Sequence, residues 1–458
     1  MTEQARYDAI VIGGGLAGLS AAFEFVDKGR RVLVLEAASQ VGGRTSNWEE
    51  DGMNVESGIH KFVGFYKEFP RLLRRAGIDL DDVFIYQDEV EIRVAEGGEK
   101  NNDPKRRRRS GRFGVSVLFR PILTIGGALG NGELLSWRDK WQLVRLMIVG
   151  TIQFLRDPES LDKLSIAEYA RQKKVGENVI NTVVFAFSSG LFFLPSDQYS
   201  AYAFFALAWA GTKRSYANRI AIFAGGMTDV MAAPLAEAIK KRGGEVLVDS
   251  PVESLIVKDG RVTGVKTENE TYGAKRVVLA TQIAPAKKII SATTGLPENP
   301  EIEKLLSIPD MSGVAVQLEL DGPAMPDDHV IFGANSILGT FGEQSHTTFS
   351  GSDGRISTFL TPSSPFMKMS KEKIVEAVVE DLKRQGVDVD GKVKNSAVVK
   401  HPSEFYLIEP GSEARRPRQR TSVPGLALAG DYTKQEYICS MEGAVVSGRL
   451  AAESAMKS

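Results

Sequence analysis

The chain has 458 residues, 43% of them hydrophobic, and a formal net charge of -1 from 57 basic and 58 acidic side chains. That length exceeds one ordinary core and predicts two or three folding units, while the charge balance excludes nucleic acid as a default partner. A single cysteine, Cys439, excludes an intrachain disulfide, and four widely spaced histidines (His60, His329, His346, His401) form no metal-ligand pattern, so no metal is expected.

In chain order, the first ten residues are polar and lead at once into a short apolar strand and glycines. No room is left for a signal peptide, so cytoplasmic synthesis is expected. Asp8 to Gly13, Leu16 to Lys28 and Arg31 to Glu36 read as strand, helix and strand, one βαβ unit. A polar loop beginning near Gly97 carries the basic run Lys105 to Arg109, which reads as a solvated loop or as a contact for anionic lipid. A helical region follows from about Leu134 through Ala210. Its apolar stretches, Val183 to Leu194 and Ala201 to Ala210, are too short to span a bilayer and are predicted to be core helices. Strand and turn patterning returns at Gly244 to Asp249, Val252 to Lys258, Arg261 to Glu268 and Arg276 to Ala280, with Asp259-Gly260 marking a hairpin. A β-rich piece from about Gly313 to Leu360, a helix over Lys371 to Gln385, a strand at Leu426 to Ala429 and a final helix complete the chain.

Gly13-Gly14-Gly15-Leu16-Ala17-Gly18 has G-x-G-x-x-G spacing in the context that gives it meaning, after a strand and opening a helix. Gly13 permits the tight turn, Gly15 lets backbone approach a pyrophosphate, and Gly18 allows close helix packing. The opening helical residues, Leu16 and Ala17, belong to a terminus whose N–H groups are free for phosphates. Glu36, followed by Ala37, ends the second strand, where a carboxylate can accept bonds from a ribose diol. Farther on, Gly430-Asp431 follows a strand, and Ser440-Met441-Glu442-Gly443-Ala444 opens the last helix, whose positive end suits negative charge on a ligand.

The glycine motif together with Gly42-Gly43-Arg44 resembles the pattern of the flavin monoamine oxidase and carotenoid desaturase superfamily. Ala429 to Tyr437 and Ser440 to Gly448 are more specific: they resemble plant and cyanobacterial type phytoene and ζ-carotene desaturases. Glu56 to His60, Gly64 to Tyr66, Glu133 to Trp137 and Pro410 to Glu413 agree with that family in the same order. The chain departs from the pattern at Trp209-Ala210, where plant-type enzymes carry Asn-Arg, and at Ala224 to Met227.

The resemblance implies an α/β fold of mixed type, in which a Rossmann-type FAD-binding domain (1–80, 220–290 and 405–458) is interleaved with a helix-rich, β-containing substrate domain (81–219 and 291–404). It implies non-covalent FAD held by Gly13, Gly15, Leu16, Ala17, Gly18, Glu36, Ala37, Gly43, Arg44, Gly430 and Asp431. Val252 would meet the adenine end, and Gly58, His60, Tyr432, Met441 and Glu442 would surround the isoalloxazine.

The implied reaction moves a hydride from an apolar isoprenoid to the flavin and a proton from the neighbouring carbon, with quinone or oxygen as acceptor and peripheral membrane contact. Phe192, Phe193, Phe204 and Phe205 are candidates to stabilise a cation or are simply core. No general base is identified. The alternatives are a flavin amine oxidase, for whose aromatic cage only Tyr432 offers itself, an enzyme of C30 squalene-type chains, and a non-catalytic FAD-binding protein.

Overall fold

A computed structural model of the chain describes residues 7–87, 89–95, 109–114, 126–127, 129–214 and 219–457. Five short parallel strands lie in the order Glu245–Leu247, Val32–Leu35, Ala9–Ile12, Val277–Leu279, Leu426–Leu428. The inner strands read as unbroken apolar runs because helices cover both faces of a parallel sheet. Against this sheet, every residue of the helix Leu16–Val26 is buried, and the C-terminal helix Met441–Lys457 packs on it. That contact is close enough to require glycine: a Cβ on Gly448 would lie 2.0 Å from the Ala17 carbonyl oxygen.

The sheet gathers the sequence motifs at one end. Ala9–Ile12 runs into Gly13, Val32–Leu35 into Glu36, and Leu426–Leu428 toward Gly430-Asp431, so all three deliver their glycines and carboxylates to the carboxyl edge. Ligands of open parallel sheets bind at that edge.

A second sheet of seven strands is ordered Val393–Tyr406, Asp310–Leu320, Gly354–Leu360, Leu338–Glu343, Val330–Ala334, Glu89–Val94, Ser110–Gly114. Its pairings are antiparallel except that between Val330–Ala334 and Glu89–Val94. The helix Phe185–Phe192 packs against it. The two apolar stretches are core helices, as their length predicts: Phe185–Phe192, entered through a π-helical turn at Ile180–Val184, and Ala201–Lys213. Asp259 and Gly260 both take positive φ, 51° and 71°, which closes the expected hairpin between Val252–Lys258 and Arg261–Thr267. Among the described residues, no helix is long and apolar enough to cross a membrane.

Candidate active site: a dinucleotide cleft continuous with an apolar chamber

The carboxyl edge of the parallel sheet opens into a cavity of about 1750 Å³ that reaches as far as the seven-stranded sheet. Its wall at the N-terminal unit includes Gly13, Gly15, Leu16, Ala17, Glu36, Ala37, Gly43 and Arg44. Gly15 caps the helix Leu16–Val26 with no side-chain bond, so the first N–H groups of that helix face the cavity uncapped. A Cβ at Gly15 would meet nothing nearer than the Gly42 carbonyl oxygen at 3.9 Å, whereas one at Gly18 would lie 1.9 Å from the Gly13 carbonyl oxygen. Gly15 therefore faces open space, while Gly18 serves helix packing and is not on the cavity wall. The Glu36 carboxylate is oriented by the N–H groups of Gly14 (2.5 Å) and Ala38 (2.9 Å). Val252 also lies on the wall, at the start of its hairpin.

The C-terminal segment supplies the opposite side through Gly430, Asp431, Cys439, Ser440, Met441 and Ala444. Gly430 has φ of 145°, and the Ser447 hydroxyl accepts its N–H at 2.9 Å, so the turn that presents Asp431 is held from within the last helix. The N-terminus of the helix Met441–Lys457 points into the cavity beside these residues. A diphosphate at the first helix and an electron-rich ring at the last both meet a positive helix end. An extended dinucleotide fits this donor set, with its ribose end at Glu36.

Three of the residues nominated around the ring lie off the wall. The Glu442 carboxylate accepts the N–H groups of Lys67, Glu68 and Phe69, each at 2.8 Å, and so caps the helix Glu68–Ala76. Tyr432 is buried beneath Gly430, with its ring carbon 2.4 Å from where a Gly430 Cβ would be. Gly58 is buried behind His60 and Phe359. His60 does line the cavity, and its Nδ1 lies 3.2 Å from the Gly58 carbonyl. A carbonyl only accepts, so Nδ1 carries the proton and Nε2 keeps a lone pair. Burial, reinforced by the positive charges of Arg44 and His401, lowers this imidazole to about 4.

Arg44 and Asp431 reach one another at 2.6 Å, with Arg44 also 5.2 Å from the centroid of the Phe405 ring. Burial works against the guanidinium charge, but the Asp431 carboxylate outweighs it and raises the Arg44 pKa. Cys439 lines the same wall as a thiol, pushed up to about 12 chiefly by burial and then by Asp431.

Toward the seven-stranded sheet the wall becomes hydrocarbon: Leu191, Phe193, Ile220, Val330 and Phe332. Of the four phenylalanines singled out in the sequence, Phe193 alone reaches the cavity, stacked on Phe359 at 3.7 Å between centroids. Phe192 stacks on Tyr199, and Phe204 and Phe205 pack in the helical core. Sequence reasoning missed the cavity residues Lys61, Gln282, His401 and Glu404, which no local motif marks. Lys61 is notable because its buried ammonium nitrogen has no hydrogen-bond partner among the described residues, and burial lowers it to about 8. Trp209 and Ala210, where the sequence departs from the plant-type pattern, lie within the helix Ala201–Lys213 and off the wall.

Residues 16–456 match the family described as flavin containing amine oxidoreductase. A 15-cis-phytoene desaturase of Synechococcus elongatus is 25% identical over 97% of this chain and 94% of its own length. A zeta-carotene desaturase of Synechocystis is 27% identical over 97% of this chain and 96% of its own. An oxidoreductase of Methanosarcina mazei shares the fold with a TM-score of 0.74 at 18% identity, covering 98% of this chain and 100% of that one.

Proposed function

The chain belongs to the flavin-containing amine oxidoreductases, and from that premise we propose that it desaturates a polyisoprenoid hydrocarbon of the phytoene or ζ-carotene type. It is an FAD-dependent oxidoreductase. FAD, when bound, supplies the two-electron acceptor for a hydride leaving carbon. The residues that hold it are Gly13, Gly15, Leu16, Ala17, Glu36, Ala37, Gly43, Val252, Gly430 and Met441, with the paired Arg44 and Asp431 between its two ends. Gly18, Gly58, Tyr432 and Glu442 support that wall from behind. The segments 1–80, 220–290 and 405–458 form the cofactor unit, and 81–219 with 291–404 form the substrate unit.

One observation carries the substrate assignment: the cofactor cleft runs without interruption into a chamber lined by Leu191, Phe193, Ile220, Val330 and Phe332. Such a wall binds a chain of carbon and hydrogen by burial alone and excludes water from the reacting carbons. Phe193 presents a ring face suited to a developing positive charge. The relatives named as carotene desaturases, each matched over 97% of this chain, support the same reading. A hydrocarbon of this kind is stored in a bilayer, so the reading also places the protein at a membrane surface, with a quinone or oxygen as final acceptor.

The test is anaerobic mixing of the flavin-loaded protein with phytoene, ζ-carotene or a C30 analogue in liposomes containing a quinone. Bleaching of the flavin with a shift of polyene absorption to longer wavelength is expected. Bleaching by primary or secondary amines, with no response to any isoprenoid, would overturn the assignment.

A further inference from the structure

The helix Trp137–Arg156 begins at a capping box between Ser136 and Asp139 and packs inward through its two buried residues, Leu146 and Gly150. A Cβ on Gly150 would fall 2.0 Å from the Phe205 ring, so this face is seated tightly on the helix Ala201–Lys213. The outward face of a helix seated in this way is ordinarily polar. Here it is not. Trp137, Trp141, Val144, Ile148, Ile152 and Leu155 recur at intervals of three and four residues, and each is between 45% and 68% exposed. They form one stripe along a 20-residue helix, a length of about 30 Å. Among the described residues, this one helix holds six of the thirteen large apolar side chains exposed to solvent. A stripe of this size on a soluble surface marks a docking face.

Its charge says what docks there. The same helix carries Arg138, Lys140, Arg145 and Arg156 against a single carboxylate, Asp139. That carboxylate is engaged within the protein, bonded to the N–H of Ser136 and to the Asn178 amide. Lys140 folds over the Trp137 ring at 4.7 Å while its ammonium group reaches the Leu129 carbonyl. The chain as a whole has a net charge of -1, so four cations against one acid already engaged are a local feature and not a reflection of bulk composition. A second copy of the chain would bring four more cations against these. An anionic bilayer surface brings the opposite charge, an apolar interior for the stripe and an interfacial depth that suits indole rings.

We infer that the outer face of the helix Trp137–Arg156 lies flat in the headgroup region of an anionic bilayer, with Trp137 to Leu155 immersed and Arg138 and Arg156 on lipid phosphates. The inference builds on the isoprenoid reading by naming the surface from which such a substrate is taken. The basic run nominated in the sequence is a different contact: Lys105 to Arg108 lie outside the described residues, and Arg109 is engaged by the carbonyls of Glu133 and Leu134 and by Asn178.

Two of the four tryptophans in the chain sit on the stripe, which supplies a probe. The flavin-loaded protein is mixed with substrate-free vesicles of phosphatidylcholine alone or with one quarter phosphatidylglycerol, and tryptophan quenching by bromine-labelled acyl chains is followed together with flotation. Expected are quenching and flotation with the anionic vesicles, at least tenfold weaker binding for the Val144→Glu/Ile148→Glu/Ile152→Glu variant, and loss of anionic preference for Arg138→Gln/Arg156→Gln. Both variants alter exposed positions, and an unchanged melting temperature and flavin content establish that they fold. Equal binding by the stripe variant, or no quenching of the parent protein, would overturn the inference. So would a parent dimer that the stripe variant dissociates without any vesicle binding, which would assign the face to self-association. The vesicles contain no isoprenoid, so binding here with no flavin bleaching in the substrate assay sinks the desaturase reading alone.

Discussion

Buried His401 is paired with half-buried Glu404, with Nδ1 of the ring 2.8 Å from Oε2 of the carboxylate and Nε2 2.7 Å from the Ser57 carbonyl oxygen. A carbonyl only accepts, so Nε2 must carry a proton. Burial favours a neutral Glu404, but the hydrogen bond and attraction of His401, with the positive charge of Arg44, outweigh it and hold the carboxyl below its ordinary value. Because the Glu404 pKa is depressed on folding, its stabilisation is complete above the unfolded carboxylate value and is lost as pH falls through the lower, native one. Glu404→Gln should therefore cost roughly 2 kcal/mol at pH 7, and the deficit should shrink in acid.

Arg44 and Asp431 stand 387 residues apart in the chain and 2.6 Å apart in space. Removing one member leaves the other charged and buried, a loss of about 3–5 kcal/mol. Asp431→Ala is expected to lower the melting temperature sharply and to shed flavin on gel filtration. The double variant with Arg44→Ala should be less destabilised than the sum of the two single changes, and strict additivity in thermal unfolding would deny the coupling.

Gly15 and Gly18 separate ligand space from packing space. Gly15 has ordinary backbone (φ of -77°) and open room for a methyl group, so Gly15→Ala is expected to fold with an unchanged apo-protein melting temperature yet bind FAD at least tenfold more weakly. Gly18→Ala places a Cβ against the Gly13 carbonyl and should lower stability with or without cofactor. Equal FAD affinity in Gly15→Ala, measured by isothermal titration, would remove the pyrophosphate from that position.

Lys61 gives a pH dependence of the same sign as that of Glu404, in an alkaline window. Burial lowers its ammonium to about 8, so between that value and the unfolded lysine value of about 10.4 the unfolded chain binds more protons and stability rises with pH. Lys61→Met is expected to raise the melting temperature at pH 7 and to flatten this rise. A variant less stable than the parent at pH 7 would show that the ammonium group is favourably placed.

FAD is expected to be released intact by acid precipitation. Cys439 lines the cavity, but burial pushes its thiol up to about 12, which leaves no thiolate to form a flavin bond at neutral pH. Flavin retained on the denatured chain, or FMN in the supernatant, would contradict this.

Gly13 to Gly18, Glu36 and Gly430-Asp431 are legible in the sequence because each depends on a few consecutive residues whose backbone needs and periodicity are local. The core helices at Phe185–Phe192 and Ala201–Lys213 were readable from stretch length for the same reason. Relationships between distant segments are not legible in this way. Glu442 looks from its position like a flavin neighbour, yet its carboxylate is directed at the N–H groups of Lys67 to Phe69. His401 is held between Glu404 nearby and the Ser57 carbonyl, 344 positions away. The stripe from Trp137 to Leu155 has the periodicity of a core helix, and nothing local tells an apolar face that meets protein from one that meets solvent. Burial is a property of what the rest of the chain places against a surface, and here the chain covers Leu146 and Gly150 while leaving the opposite face of the same helix bare.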